Sequence, residues 1–157
     1  MKVRELMTAP AVTVGPTDRV ARVAHLMVEG HVSGLPVVDS NGKLLGLVTQ
    51  EDIVTKHANV HTPTYLGFLG YSLTLGTREV DEEMRRVLAV TASDLMSEHV
   101  ASVAPDADID EAATQMVEKH VNPLPVVENG RVVGVISHAD ILKLVLSEEE
   151  DGDQAPG

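Results

Sequence analysis

Two segments of the chain carry the same sequence pattern, and this duplication constrains the fold more than any other feature. Residues 27–38 (MVEGHVSGLPVV) match residues 116–127 (MVEKHVNPLPVV) at an offset of 89 residues without a gap. After a turn in which one residue is lost, residues 46–53 (GLVTQEDI) match residues 134–141 (GVISHADI). Copies of about 60 residues are marginally stable alone. The duplication therefore predicts two similar units that bury a shared sheet face, with equivalent loops around one central cleft.

Each copy has the pattern of a β-α-β-β-α unit, so the predicted fold class is α/β, with two pseudo-symmetrical repeats in one module. Apolar residues at helical spacing predict the buried side of the first helix in each copy: Val20, Ala24, Met27 and Val28, then Ile109, Ala113, Met116 and Val117. The expected caps of these helices are Thr17 or Asp18 and, in the second copy, Asp106. Apolar runs and turn residues predict strands near 12–14, 35–38, 44–48 and 132–136, and a last helix from Thr49 and from Ser137.

Two segments fall outside the repeats. We divide the chain into repeat 1 (1–58), an insertion (59–90), repeat 2 (91–146) and an acidic tail (147–157). The insertion contains all three aromatic residues, Tyr65, Phe68 and Tyr71, followed by a predicted helix. It either covers the module's own core or forms a dimer or partner surface, because aromatic residues concentrate at interface anchors. The acidic tail is expected to stay solvated and disordered.

The composition restricts the classes of function. A net charge of −12 disfavours nucleic acid as a partner, since duplex binding depends on Lys and Arg. The chain has no cysteine, so it forms no disulfide framework. Its first residues lack the apolar run of a signal peptide, and no stretch approaches the roughly 20 apolar residues of a membrane span. We therefore expect a cytoplasmic protein that does not use a membrane.

The strand-to-helix junctions carry the main candidate chemistry. In both copies a hydroxyl residue is followed three positions later by an acid, Thr49 by Asp52 and Ser137 by Asp140. The plainer interpretation is a helix cap, for which this spacing is typical. In the functional interpretation, the N–H groups at the helix start bind an anion, and the carboxylate accepts two ribose hydroxyls, as in dinucleotide-binding folds. The same context in both copies favours the functional interpretation.

These residues also carry a resemblance to a known family. Residues 32–39 (VSGLPVVD) with 46–53, and residues 121–128 (VNPLPVVE) with 134–141, resemble the tandem repeats of CBS (cystathionine β-synthase-type) domain proteins. The resemblance implies a cleft that binds AMP, ADP, ATP, S-adenosylmethionine or a related adenosine ligand, with no other cofactor required. It implies ribose contacts from Asp52 and Asp140, and phosphate or ribose contacts from Thr49 and Ser137. It implies that adenine is framed, partly by backbone groups, by Thr13, Val32, Ser33, Gly34, Ser102, Val121, Asn122 and Pro123. It also implies that Pro36 and Pro125 belong to the nucleotide-binding residues.

The sequence departs from the family pattern beside the two aspartates. Many relatives have Arg or Lys there, whereas this chain has Gln50 and Glu51 in repeat 1 and His138 and Ala139 in repeat 2. Because Glu51 would repel a triphosphate, we expect little discrimination for a third phosphate. For the same reason, the Asp140 site with His138 is expected to be the stronger of the two.

The remaining polar residues predict no second chemistry. His31 and His120 are equivalent residues, expected at helix ends where they interact with the helix dipole, and no metal site is expected. No nucleophile–base–acid set or P-loop spacing is present, so no catalytic residue is expected. The leading hypothesis is a non-enzymatic sensor of an adenosine ligand that alters an unidentified partner protein and forms a homodimer, as the resemblance implies. The alternative is a ligand-free scaffold or interaction module that uses the aromatic insertion.

Overall fold

The computed structural model describes residues 1–55 and 90–152, with side chains described through residue 149. Tyr65, Phe68, Tyr71 and the predicted helix of the insertion lie outside the described residues. The described elements are, in chain order, α1 (Val3–Leu6), α2 (Val20–Gly30), β1 (Gly34–Val38), β2 (Leu44–Thr49), α3 (described for residues 50–55), α4 (Ala92–Leu95), α5 (Ile109–Lys119), β3 (Leu124–Glu128), β4 (Arg131–Ile136) and α6 (His138–Gly152).

Each repeat contains one antiparallel hairpin. β1 pairs with β2 in repeat 1, and β3 pairs with β4 in repeat 2, with one register irregularity in each hairpin. The predicted first strand of each repeat is reduced to one bridging residue, since Val14 bridges Val37 and Val103 bridges Val126, both in parallel. The predicted α/β class with two equivalent repeats is confirmed.

The short helix at the start of each repeat packs into the core of the other repeat. Val3 of α1 is fully buried in the repeat 2 core, and its N–H donates to the carbonyl of Ala107 at 2.9 Å. Ala92 of α4 is fully buried in the repeat 1 core, and its N–H donates to the carbonyl of Asp18 at 2.8 Å. This exchange of helices joins the two repeats into one module.

The segment after each short helix continues along the opposite hairpin. Thr8 bridges Val135 of β4, and Ser97 bridges Leu47 of β2. A glycine permits this close approach, because a Cβ at Gly46 would lie 2.7 Å from the carbonyl oxygen of Ser97. Residues of repeat 2 therefore reach the junction of β2 and α3 in repeat 1.

Each repeat has its own buried core around the hairpin and the first long helix. The core of repeat 1 contains Val14, Val23, Met27, Leu35, Val37, Val48 and Ala92. The core of repeat 2 contains Val3, Val103, Ile109, Ala112, Met116, Leu124, Val126 and Ile136. Burial of these side chains is the main stabilising contribution, at about 1.5–3 kcal/mol for each large apolar residue.

The buried face of the first long helix differs from the sequence prediction in both repeats. Val23 and Ala112 are fully buried, whereas the predicted Ala24 and Ala113 are only partly buried. Val28 and Val117 were expected in the core, but they are 73% and 69% exposed. In α2 the buried residues are Val20, Val23 and Met27. Positions separated by three and four residues lie on one helix face, so Val28 and Val117 lie at its margin.

The predicted helix caps were also wrong. The residue before α2 is Arg19, not Thr17 or Asp18, and the residue before α5 is Asp108, not Asp106. Other partners compete for these carboxylates. Asp18 accepts a hydrogen bond from the Gly15 N–H at 2.7 Å, and Asp106 pairs with Arg4 at 2.7 Å.

The start of the acidic tail is helical, in contrast to the expectation of disorder. α6 continues through Gly152, and residues 153–157 lie outside the described residues. Glutamate has a favourable helix propensity, so residues 148–150 can extend a helix that begins in the folded part. Among the helices in the described ranges, none is long and apolar enough to cross a membrane.

Candidate functional site

A cavity of about 850 Å³ opens between the repeats, beside the junction of β2 and α3. Repeat 1 contributes Ser33, Leu47 and residues 49–52, whereas repeat 2 contributes residues 97–101 and 119–122. Small-molecule sites in proteins span about 300–1,000 Å³. The cavity is therefore large enough for a ligand the size of a nucleotide, and both repeats would contact it.

Asp52 occupies the first turn of α3 at the cavity wall. Its Oδ2 accepts hydrogen bonds from the Thr49 N–H at 2.8 Å and from the Thr49 hydroxyl at 3.1 Å. Within the described part of the chain, its Oδ1 has no hydrogen-bond partner or ion pair. Asp52 thus caps the helix with one oxygen, and the other has no partner among the described residues.

Asp140 caps α6 in the same way but has a different environment. Its Oδ2 accepts hydrogen bonds from the Ser137 N–H at 2.8 Å and the Ser137 hydroxyl at 2.9 Å. The residue is only 7% exposed, and its Oδ1 lies 4.0 Å from Lys143 Nζ. The equivalent of Lys143 in repeat 1 is Thr55, so the position three residues after Asp52 carries no cation.

A third copy of the capping geometry occurs at α4. Asp94 Oδ2 accepts hydrogen bonds from the Thr91 N–H and the Thr91 hydroxyl, both at 2.9 Å. Neither residue lines the cavity. The hydroxyl–acid spacing is therefore a helix cap in all three places, and capping by itself does not mark a ligand site.

The predicted ligand residues divide into two groups. Five of them line the cavity: Ser33, Thr49, Asp52, Val121 and Asn122. The second group consists of the predicted ligand residues that do not line this cavity: Thr13, Val32, Gly34, Pro36, Ser102, Pro123, Pro125, Ser137, His138 and Asp140. Both prolines of β1 and β3, Pro36 and Pro125, are fully buried. Their side chains are therefore not exposed to a ligand in this cavity.

Some residues of the second group position the wall. The Gln50 side chain donates to the Val32 carbonyl at 3.3 Å, and the His138 N–H donates to Asn122 Oδ1 at 3.0 Å. The repeats meet at the equivalent positions Gly34 and Pro123, where a Cβ on Gly34 would lie 2.7 Å from Pro123 Cδ. These contacts hold the two strand starts against each other.

Protein-family comparison finds the same two repeats that the sequence pattern and the structure show. The model of the CBS domain matches residues 3–59 and again residues 92–147. The chain belongs to the CBS domain family. Both CBS domains contribute to the wall of the cavity, the first through the β2–α3 junction and the second through residues 97–101 and 119–122.

The proteins similar to this chain include some that it matches along nearly their whole length. An uncharacterised protein of Methanocaldococcus jannaschii is 28% identical over 155 residues, which cover 93% of this chain and 92% of the relative. CBSX2 of Arabidopsis thaliana, solved in complex with AMP, has a TM-score of 0.70 at 23% identity and covers 94% and 98% of the two chains. A CBS domain pair in complex with 5′-methylthioadenosine and S-adenosyl-L-methionine has a TM-score of 0.72 at 22% identity, with the same coverage.

Sequence reasoning predicted Val121 and Asn122 but missed the charged and titratable residues that the second CBS domain contributes to the Asp52 cavity. The charged or titratable ones are Glu98, His99, Lys119 and His120. Lys119 and His120 lie within the repeated segment 116–127, where Lys119 replaces Gly30 of the first copy. The replacement of Gly30 by Lys119 was the only sign in the sequence that the two repeats differ in charge at this position. Because Lys119 and Asp52 are 67 positions apart, the sequence did not indicate that they line the same cavity.

The cavity has a mixed charge. Glu51, Asp52 and Glu98 supply carboxylates, and Lys119 supplies a permanent positive charge. His99 and His120 are both in the left-handed backbone region, with φ of 55° and 52°. Within residues 1–55 and 90–152, no group of three or more His, Cys, Asp or Glu residues could hold a metal ion.

Proposed function

We propose that the protein is a reversible sensor of an adenosine-containing ligand that binds in the Asp52 cavity. The observation that carries the proposal is the position of Asp52, whose uncommitted Oδ1 lies at the wall of a cavity formed by both CBS domains. A carboxylate in this position can accept the two hydroxyls of a ribose. Charge-assisted bonds of this kind are about twice as strong as neutral ones.

The other cavity residues fit the remaining parts of such a ligand. Leu47, Val100 and Val121 supply apolar surface for a planar base, and Asn122 and Ser33 supply polar edges. Related CBS pairs in complex with AMP and with S-adenosyl-L-methionine support the adenosine class. Because three carboxylates line the cavity, we expect no gain in affinity from a third phosphate.

Binding between the CBS domains provides a means of regulation. A ligand that contacts both domains stabilises their relative position, and a ligand can shift a conformational equilibrium by its differential affinity for two states. We propose that this shift alters a partner protein, and that the protein acts in the cytoplasm without catalysing a reaction. The ligand is then recovered chemically unchanged after incubation with the protein.

Exposed apolar side chains support assembly into a homodimer. Val28 and its equivalent Val117 are 73% and 69% exposed, and Val54 and its equivalent Leu142 are 65% and 63% exposed. Because the internal pseudo-symmetry repeats these positions, a second copy can meet a self-complementary face, as a twofold dimer requires. Light scattering is expected to give twice the chain mass, and a mass of only 16.8 kDa at high protein concentration would refute the dimer.

Thermal unfolding with AMP, ADP, ATP and S-adenosylmethionine, each at millimolar concentration, tests the proposed function. A ligand that binds only the native state at 100 times its Kd stabilises it by about 2.7 kcal/mol. We expect a higher midpoint with at least one of these ligands and similar midpoints for ADP and ATP. An unchanged midpoint with all four, supported by calorimetry without heat, would refute the sensor and favour the alternative of a ligand-free interaction module.

A further inference from the structure

The two CBS domains offer unequal surroundings to an anion. Lys119 ends α5 and lines the Asp52 cavity. Although Glu51, Asp52 and Glu98 line the same cavity, Lys119 forms no salt bridge or hydrogen bond among the described residues. The equivalent residue in repeat 1 is Gly30, which has no side chain.

The loop across the cavity adds to this difference. His99 lines the Asp52 cavity, and its equivalent in repeat 1 is Pro10, whereas the neighbouring Glu98, equivalent to Ala9, adds a carboxylate. An imidazole can donate a hydrogen bond to a phosphate, whereas proline has no donor. The cavity at Asp52 therefore has donors at positions where the equivalent surface beside Asp140 has none.

The two aspartates also differ in burial and in the charge beside the second carboxylate oxygen. Asp140 is 7% exposed, and the ammonium group of Lys143 lies 4.0 Å from its second oxygen. A ribose would have to approach a largely buried carboxylate that already has a cation beside it. Asp52 has Thr55 in place of Lys143, and its second oxygen has no partner among the residues that the structure describes.

We propose that the protein has a single phosphate-competent site per chain, at Asp52, and that Lys119 of the second CBS domain binds the ligand's phosphate there. The inference rests on the proposed function and extends it, because it names the working site and the residue that recognises the anion. It reverses the expectation from sequence that the Asp140 site is the stronger one. Lys119 supplies a charge that the residues next to Asp52 in the chain do not supply.

The test is a calorimetric titration with two probes, AMP and adenosine, which differ only by the phosphate. Wild-type protein is expected to bind one AMP per chain and to prefer AMP over adenosine. Lys119→Gln retains a long polar side chain with good helix propensity but removes the charge. It is expected to weaken AMP binding about tenfold, the effect of about 1.4 kcal/mol, and to leave adenosine binding unchanged.

Two further variants serve as controls. Lys43→Gln removes the same charge from the exposed turn between β1 and β2, outside the cavity, and is expected to bind AMP like wild type. Lys119→Arg keeps the charge and is expected to retain the preference for AMP. Thermal melts without ligand verify that all variants fold.

Each other outcome overturns part of the account. Two equivalent AMP sites per chain, wild-type AMP affinity in Lys119→Gln, or an equal loss for AMP and adenosine would overturn the inference and leave the sensor function intact. Absence of binding by both probes to wild-type protein would overturn the inference. If ADP, ATP and S-adenosylmethionine also fail to bind, the proposed function fails with it.

Discussion

The β2–α3 junction of repeat 1 and the β4–α6 junction of repeat 2 have the same capping geometry and different chemistry around it. In each, an aspartate accepts hydrogen bonds from the N–H and the hydroxyl of the residue three positions earlier, at 2.8 and 3.1 Å for Asp52 and 2.8 and 2.9 Å for Asp140. Asp52 faces a cavity, whereas Asp140 is buried beside Lys143. Duplication has kept the framework, and the difference lies in the side chains around the second carboxylate oxygen.

Under the proposed assignment, a repeated capping motif does not give two equivalent ligand sites. A cap needs only local groups, namely a hydroxyl, a backbone N–H and one carboxylate oxygen. A ligand site also needs partners from the other repeat, and these have diverged, since Lys119 corresponds to Gly30 and His99 to Pro10. The local geometry is therefore symmetrical, while the distribution of charge is not.

The symmetry of the framework predicts the largest effects on stability. A Cβ at Gly46 would lie 2.6 Å from Met96 Sδ and 2.7 Å from the Ser97 carbonyl oxygen, and one at Gly134 would lie 2.9 Å from the Thr8 carbonyl oxygen. Because backbone atoms have to move, Gly46→Ala and Gly134→Ala are each expected to lower the free energy of unfolding by about 3 kcal/mol. Urea denaturation measures this loss.

A third glycine provides the control for these two variants. Gly30 ends α2, and a Cβ there would lie no closer than 3.6 Å to the side chain of Val32. Gly30→Ala is therefore expected to raise the free energy of unfolding slightly, by at most about 1 kcal/mol. Wild-type stability in either Gly46→Ala or Gly134→Ala would contradict the claim that both repeats depend on the same close approach of the backbone.

The exchange of short helices between repeats predicts the next effect. Val3 is fully buried in the core of repeat 2, although it lies at the start of repeat 1. Val3→Ala removes two buried methyl groups and is expected to cost about 2 kcal/mol. Val28→Ala, at a position that is 73% exposed, is expected to change the free energy of unfolding by less than about 0.5 kcal/mol. Equal effects of both variants in urea denaturation would contradict the exchanged packing.

The smallest expected effect depends on pH and distinguishes the two repeats again. Lys2 Nζ lies 2.8 Å from Asp108 Oδ1, whereas the equivalent bridge in repeat 1 joins Thr91 and Arg19 without an acid. The hydrogen bond from Lys2 lowers the pKa of Asp108 below its usual value, and the same bond raises the pKa of Lys2. A carboxyl whose pKa is lowered on folding stabilises the protein above its unfolded pKa, and this contribution disappears as the pH falls through the folded pKa.

Lys2→Met is therefore expected to lower the melting temperature slightly at neutral pH and to have no effect at acidic pH, where Asp108 is protonated. Both side chains are about half or more exposed, so the difference at neutral pH is small. Melting curves of wild type and variant at several pH values between 7 and 3 measure it. A difference that grows as the pH falls would have the wrong sign for this ion pair.

The sequence was sufficient to predict the repeats, their hairpins and the capping aspartates, because these features depend on local pattern. Residues 46–53 and 134–141 match closely enough to predict the same cap in both repeats. The predicted buried face of α2 included Val28 because several sets of apolar residues in this helix have helical spacing. Only the packing against the rest of the repeat determines which set is buried. The assignment of Asp18 and Asp106 as helix caps was wrong because each carboxylate has another partner, Gly15 or Arg4. The helical pattern of apolar residues gives no indication of these partners.

The composition of the site could not be predicted in the same way. His99 reaches the Asp52 cavity because residues of repeat 2 run along the hairpin of repeat 1, where Ser97 bridges Leu47. Lys119 reaches it from the end of α5, four residues before Pro123, which meets Gly34 of repeat 1. The expectation that the Asp140 site is the stronger one rests only on the residues next to each aspartate in the chain. Lys143 was available in the sequence, three residues after Asp140, as the signal that this carboxylate has a cation on its own helix.

The most direct test of the account is the comparison of Asp52→Asn with Asp140→Asn in AMP titrations. Both variants keep the size of the side chain and most of its capacity to cap, so both are expected to lose about 1 kcal/mol of stability or less. Asp52→Asn is expected to weaken AMP binding at least about tenfold, corresponding to about 1.4 kcal/mol, while Asp140→Asn binds like wild type. Equal affinity in both variants and wild type, or a larger loss in Asp140→Asn, would contradict the assignment of the site to Asp52.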